Sequence, residues 1–335
     1  MRTLTTAPSA LLDPATGAAR FGSYEGSISG VDLAPLASGR LQRIAREKRW
    51  IYASLATDEV FAAAAVVRLG YSATAFSYVY DAKAGRIAAH ESALGIPAVC
   101  DVSDDRQRGV RGAFSLGRTR YRVEKDPSGD VLVEVRAGAI SIDAQMRAER
   151  APPSITAVAK IPEGIIDVTE KRTLLAAKGS IVVGDRRWSL DGGHGGFDLT
   201  QGLLARRTRW RWAFAMGRTD AGVRFGMNLV QGFVGEPECA LWIGDELMGV
   251  GEGRIEREGD DRDLRRAWRV TTTCGSVDLR FVPSDFHREN RELLVVSSKF
   301  VQGVGRYEGT VRDRSGREHT ISTALGVTED QDTRW

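Results

Sequence analysis

The sequence predicts an all-β protein built from two antiparallel barrel or sandwich units. Three observations carry this reading. Apolar residues alternate with period two in run after run, turn residues separate the runs at hairpin spacing, and the two halves of the chain share a pattern in the same order. Helical periodicity is confined to one stretch near Pro35 to Arg46.

Along the chain, Trp50/Tyr52/Ser54 and Phe76/Tyr78/Tyr80 each place aromatic residues on one face of a strand. The turn Asp81-Ala-Lys-Ala-Gly85 closes the second run, and Pro97 to Arg108 reads as a loop. Pro127-Ser-Gly129 then leads into Val131/Val133/Val135. In the second half the strands are Trp210/Trp212/Phe214/Met216, Val223/Phe225/Met227/Leu229 and Val277/Leu279/Phe281, with turns at Asp220-Ala-Gly222 and Asp313-Arg-Ser-Gly316.

The repeat rests on two matches. RWIYASLATDEV from Arg49 resembles RWRWAFAMGRTD from Arg209, and YRVEKDPSGDVLVEVRA from Tyr121 resembles WRVTTTCGSVDLRFVP from Trp268. The segment APPSITAVAKIPEG holds three of the ten prolines and is read as the connection, giving units over 1–160 and 161–335. A length of 335 residues suits two cores better than one.

Composition narrows the function classes. The net charge is +3, with 47 basic residues interspersed among 44 acidic ones, so no basic face for nucleic acid is indicated. Three widely spaced cysteines, Cys100, Cys239 and Cys274, suggest neither a disulfide framework nor a zinc motif and fit a reducing compartment. The longest apolar run, Phe61 to Val67, is too short to span a membrane, and the N-terminus has no signal-peptide core. A cytoplasmic protein without a membrane span is the expectation; oligomeric state is not legible.

The stretch DGGHGGFDLTQG over 191–202 is the densest in glycine. It is not a dinucleotide fingerprint, because Asp198 stands where the third glycine is needed and a strand pattern follows instead of a helix. The Gly-Lys-Ser/Thr ending of a P-loop is missing. His90, His194, His287 and His319 show no metal-ligand spacing, and no nucleophile elbow is present, so neither a metal nor a cofactor is expected. Two readings stay open for Asp198, a proton donor in a pocket or the closure of an Asx-turn. His194 is either its proton partner or an exposed loop residue. The glycines are expected to put the segment at a barrel rim or between the two units, with Asp198 facing a pocket lined by Trp210 or Trp212.

In RTRWRWAFAM, Arg207, Arg209 and Arg211 share one strand face and Trp210, Trp212, Phe214 and Met216 the other. The aromatic face is either core packing or the wall of a ligand cavity. Trp50, Tyr52, Tyr78, Trp210, Trp212 and Trp242, with Asn228, form the candidate binding set. Trp188, beside Arg186 and Arg187, is read as covering surface at a turn.

KRWIY at Lys48, RLGYSATAFSYVYD at Arg68, FDLTQGLLARRTRWRWA at Phe197, ECALWIGDE at Glu238 and SKFVQGVGRYEG at Ser298 together resemble the domain-of-unknown-function family 2804 of bacteria and fungi. Leu199 and Cys239 depart from that family's pattern, where an aromatic and an Asn are usual. The resemblance implies two lipocalin-like units, distantly similar to double lipocalin-like proteins such as carotenoid hydratases. Two functions follow. One is an enzyme that hydrates, isomerises or cyclises an isoprenoid, fatty or polyketide-like molecule, with an acid protonating an alkene and Trp faces steadying the cation. The other is a carrier of a similar apolar ligand without chemistry. A carbohydrate-binding sandwich is a third reading, which requires exposed aromatic rings.

Overall fold

The computed structural model describes residues 1–260, 262–292 and 297–335. After β1 (Thr5–Thr6) and β2 (Gly22–Glu25), the helix α1 (Arg40–Arg46) leads into β3 (Glu47–Ala56), β4 (Val60–Leu69), β5 (Ala73–Asp81) and β6 (Arg86–Gly95). Five shorter strands follow: β7 (Cys100–Asp105), β8 (Gly109–Leu116), β9 (Thr119–Lys125), β10 (Val131–Ala137) and β11 (Ile140–Arg147). β12 (Ile155–Ala159), β13 (Ile166–Val183), β14 (Arg186–Ser189) and β15 (His194–Leu203) complete the first sheet.

The second sheet starts with β16 (Arg207–Arg218), β17 (Arg224–Gly232), β18 (Ala240–Ile243), β19 (Glu246–Gly249) and β20 (Gly253–Arg257). It ends with β21 (Trp268–Thr272), β22 (Val277–Glu292), β23 (Ser297–Arg312) and β24 (Glu318–Arg334). No helix among the described residues is long and apolar enough to cross a membrane.

The first sheet is a nearly closed barrel and the second a half-barrel. Their main orders are β6-β5-β4-β3-β15-β13-β11-β10-β9-β8-β7 and β19-β18-β17-β16-β24-β23-β22-β21-β20. In each, the first long strand pairs on one side with its hairpin partner and on the other with the last strand of the sheet. The match of Arg49 with Arg209 therefore joins equivalent strands, β3 and β16. The match of Tyr121 with Trp268 is one strand out of step: counted from the closing strand, β9 is fifth and β21 fourth. An aromatic-turn-alternation pattern suits any hairpin of a meander, so it carries no address within the sheet.

Three expectations are corrected. The chain passes from one sheet to the other at 204–206, so β13 and β15 belong with the N-terminal strands, and the proline-rich segment expected as the connection at 160/161 contributes β12, paired with β2 and β13. Pro97–Val99 is a 3-10 turn, but Cys100 to Asp105 is strand, with Cys100 and Val102 buried; its short run among aspartates concealed the alternation. The glycine-rich segment from His194 onward is continuous strand β15, not a turn at Asp198.

Strand alternation divides the packing. Ile51, Ala53 and Leu55 of β3 point into the first barrel with Val66, Val123 and Ile142. Tyr52 and Ala56 point outward and join Phe61, Tyr78, Trp212 and Phe214 in a core between the sheets. Gly196 makes this approach possible, since a Cβ there would lie 2.5 Å from Phe214 Cζ and 2.7 Å from Ser54 Oγ. Gly196→Ala is expected to force the sheets apart and cost about 1–3 kcal/mol, measured by urea denaturation; an unchanged midpoint would mean that the interface yields freely.

Candidate functional site

The equivalent strands β3 and β16 meet face to face. Trp50 stacks on Trp210 with centroids 6.1 Å apart and planes 9° apart, and Tyr52 meets the edge of Trp212 at 5.4 Å. These are the residue pairs that the repeat aligns, so the duplicated aromatic positions contact one another. Around them lies a cavity of about 160 Å³, whose wall also includes Phe76, Phe233, Phe300 and Trp335. Phe233 has φ 53 between Gly232 and Gly235 and packs 5.3 Å from Trp210, a backbone held in a rare conformation where the ring covers the cavity.

The polar lining follows the same duplication. Asp198 lies opposite Tyr52 in register, and Glu329 opposite Trp212. One strand further out, Lys171 pairs with Asp198 and Gln302 with Glu329. The first half-site is thus an ion pair, Lys171 Nζ to Asp198 Oδ2 at 2.5 Å, with Glu238 Oε2 3.5 Å from the same ammonium. The second is a network of neutral donors: Trp210 Nε1 donates to Glu329 Oε1 at 2.8 Å and Gln302 Nε2 to Oε2 at 2.7 Å. Gln302 Oε1 in turn accepts from Tyr78 and Tyr52 hydroxyls at 2.5 and 3.3 Å.

Four carboxyl groups, Asp167, Asp198, Glu238 and Glu329, are thus buried with the Lys171 ammonium, which contacts Asp198 and Glu238. Burial disfavours so many charges and raises the pKa of Asp167, Glu238 and Glu329. Desolvation pushes Glu329 up to about 7 against the pull of its Trp210 and Gln302 hydrogen bonds. It pushes Glu238 up to about 7 as well, with Lys171 pulling down and Asp198 pushing up. Asp167, whose two oxygens have no hydrogen-bond partner, is raised well above the usual carboxylate range by burial and by Glu238. Burial works against the charge on Lys171, but Asp198 and Glu238 outweigh it and hold its pKa above the ordinary value.

The expected residues separate into three groups. Asp198, Trp50, Tyr52, Trp210 and Trp212 line the cavity together. Asp198 is mid-strand, so the Asx-turn reading is wrong; its carboxylate meets Lys171 and Thr200. His194 lies on the same face but four residues along β15, about 13 Å away at strand rise, in a separate depression with Asp191, Arg218 and Asp220. It is not brought to Asp198, and burial lowers its pKa.

Tyr78 and Asn228 stand behind the wall. Tyr78 supports Gln302, while Asn228 accepts from Trp212 Nε1 at 2.7 Å and donates to the Glu238 carbonyl at 2.9 Å. Trp242 is in the inter-sheet and half-barrel core, donating to Pro153 O, and does not line the cavity. Trp188 is buried in the first barrel core under Arg186, not spread over surface. With Trp212 buried between the sheets, Trp210 and Trp212 do not form the exposed platform of a carbohydrate-binding sandwich.

Sequence reasoning missed Lys171, Glu238, Gln302 and Glu329. The repeat carried a usable signal for Glu329, since it occupies in the last strand of its sheet the place that Asp198 has in the first. Glu238 carried none, because a 3-10 turn, Glu236–Glu238, delivers it. Among the described residues no group of three or more His, Cys, Asp or Glu is arranged to hold a metal ion.

No curated protein matches the chain by sequence. Among solved structures, CghA with Sch210972 is similar at 11% identity, TM-score 0.56, over 98% of this chain and 97% of that one. Kievitone hydratase from Nectria haematococca is similar at 11% identity, TM-score 0.51, over 94% and 98%. At such identity the likeness is one of fold. The family described as a domain of unknown function, DUF2804, matches residues 2–335, and the chain belongs to that family.

Proposed function

We propose that the protein binds a hydrophobic small molecule in the cavity between its sheets and performs acid–base chemistry on it, of the hydration, isomerisation or cyclisation type. The observation that carries this is the pair of equivalent carboxyl groups on one aromatic-walled cavity: Asp198 ion-paired with Lys171, and Glu329 pushed up to about 7. A general acid works best with a pKa near the ambient pH. Glu329 takes the donor role assigned to Asp198 from the sequence, and Asp198 with Lys171 supplies fixed charge. Aromatic faces suit an apolar substrate and a developing cation. A hydratase by name and a protein solved with Sch210972 share the fold, which supports small-molecule chemistry in general terms. Three free cysteines support the cytoplasmic setting.

Binding is tested with a neutral apolar probe of one ring, such as ethylbenzene. Trp210→Ala is expected to weaken it about tenfold or more, while Trp188→Phe leaves it unchanged; equal effects would place the probe elsewhere. For chemistry, the apolar molecule extracted from purified protein is returned to it in heavy water. Label incorporation that falls about 10²–10⁴-fold in Glu329→Gln supports acid catalysis. Tight binding with no incorporation leaves a carrier.

A further inference from the structure

We infer that the molecule held in this cavity is uncharged and presents a hydrogen-bond-accepting oxygen, a carbonyl conjugated to a planar apolar body, to the Glu329 carboxyl group. The inference rests on the cavity being the ligand site and specifies what occupies it. It follows from counting donors. Both oxygens of Glu329 already accept, one from Trp210 and one from Gln302. Gln302 presents its Nε2 to Glu329 and its Oε1 to the Tyr78 and Tyr52 hydroxyls, and in that orientation it offers Glu329 no acceptor. These donors leave the O–H of a protonated Glu329 without an acceptor among its partners, and the open direction is the cavity that it lines.

Charged occupants fit less well. An anion would meet Asp198, Glu238, Glu289 and Glu329 on the cavity wall with Lys171 as the cation among the lining residues. A cation would suit the rings and carboxylates, but that place is filled by the protein itself. The Lys171 ammonium lies 5.9 Å from the Trp212 ring centroid and is bound to Asp198 and Glu238. The cavity of about 160 Å³ matches in size the cavity of about 150 Å³ that admits benzene, so one ring bearing a carbonyl fits without opening the sheets.

The titratable and charged groups around Glu329 are Asp198 on β15, Lys171 on β13, Glu238 from the 3-10 turn, Tyr52 on β3, Tyr78 on β5, and His287 and Glu289 on β22. Of these, Glu238 is also raised to about 7, so variants at Glu329 are needed to assign a titration.

The test compares four molecules of nearly one shape, acetophenone, ethylbenzene, 1-phenylethylammonium and benzoate, by ligand-observed NMR titration of the full chain at pH 6 and pH 8.5. Acetophenone is expected to bind about five- to tenfold more tightly than ethylbenzene at pH 6, the worth of one hydrogen bond. That preference should fall as pH rises through about 7, where Glu329 loses its proton, and Glu329→Gln should remove the pH dependence. Equal binding of acetophenone and ethylbenzene overturns the inference while leaving the cavity as an apolar site. So does tighter binding of the ammonium or of benzoate, or a pH dependence unchanged in Glu329→Gln. Failure of all four to bind overturns the cavity reading itself. The wild-type comparison stands even if the variant does not fold.

Discussion

Lys171→Met is expected to destabilise the folded protein by about 3–5 kcal/mol at pH 7, the range for removing one partner of a buried ion pair. The lysine is the counter-charge of Asp198 at 2.5 Å and of Glu238 at 3.5 Å, and both carboxylates are buried. Without the ammonium, those acids must either ionise unpaired or take up protons. The deficit should therefore shrink as pH falls, because protonation relieves the uncompensated charge. Urea denaturation at pH 5 and pH 7 measures both effects. Lys171→Met with Asp198→Asn should recover part of the loss, since the partner charge is removed too. A deficit below about 1 kcal/mol, typical of an exposed pair, would show that solvent reaches the pair.

Wild-type stability should decline between about pH 4.5 and pH 7, and Glu329→Gln should reduce the slope. Glu329 has its folded pKa raised from 4.5 to about 7 by burial. In that window the folded state binds more protons than the unfolded state, so stability falls as pH rises. The contribution is fully present below 4.5 and is lost as pH passes through about 7. The shift corresponds to about 3 kcal/mol, and Glu238, raised to the same value, adds a similar slope. Relative to wild type, Glu329→Gln should thus gain about 3 kcal/mol between pH 4.5 and pH 8. Parallel wild-type and variant profiles would mean that Glu329 ionises in the folded protein as it does in the unfolded chain.

The all-β class was legible in the sequence, because alternation with period two specifies strand and states which face is buried. The repeat of Trp50 and Tyr52 at Trp210 and Trp212 was legible too, since Arg-Trp followed by a second aromatic two residues on recurs in the equivalent first strands. Asp198 was legible as a candidate, although its surroundings suit a turn as well as a strand: glycines that permit close packing of β15 against Phe214 look the same in one dimension as glycines that permit bending.

The partnerships between distant strands, within each sheet and from one sheet to the other, come from the fold. Lys171 and Asp198 are 27 residues apart and Gln302 and Glu329 likewise 27, each joined by strand register, while Tyr52 reaches Gln302 across 250 residues. No local pattern encodes such distances. Whether a carboxyl group is an ion-pair partner or a proton donor depends on its burial and on the charges beside it. Asp198 received a lysine on the neighbouring strand and Glu329 a glutamine, and the proposed division of their roles rests on that difference in neighbours, set by the fold.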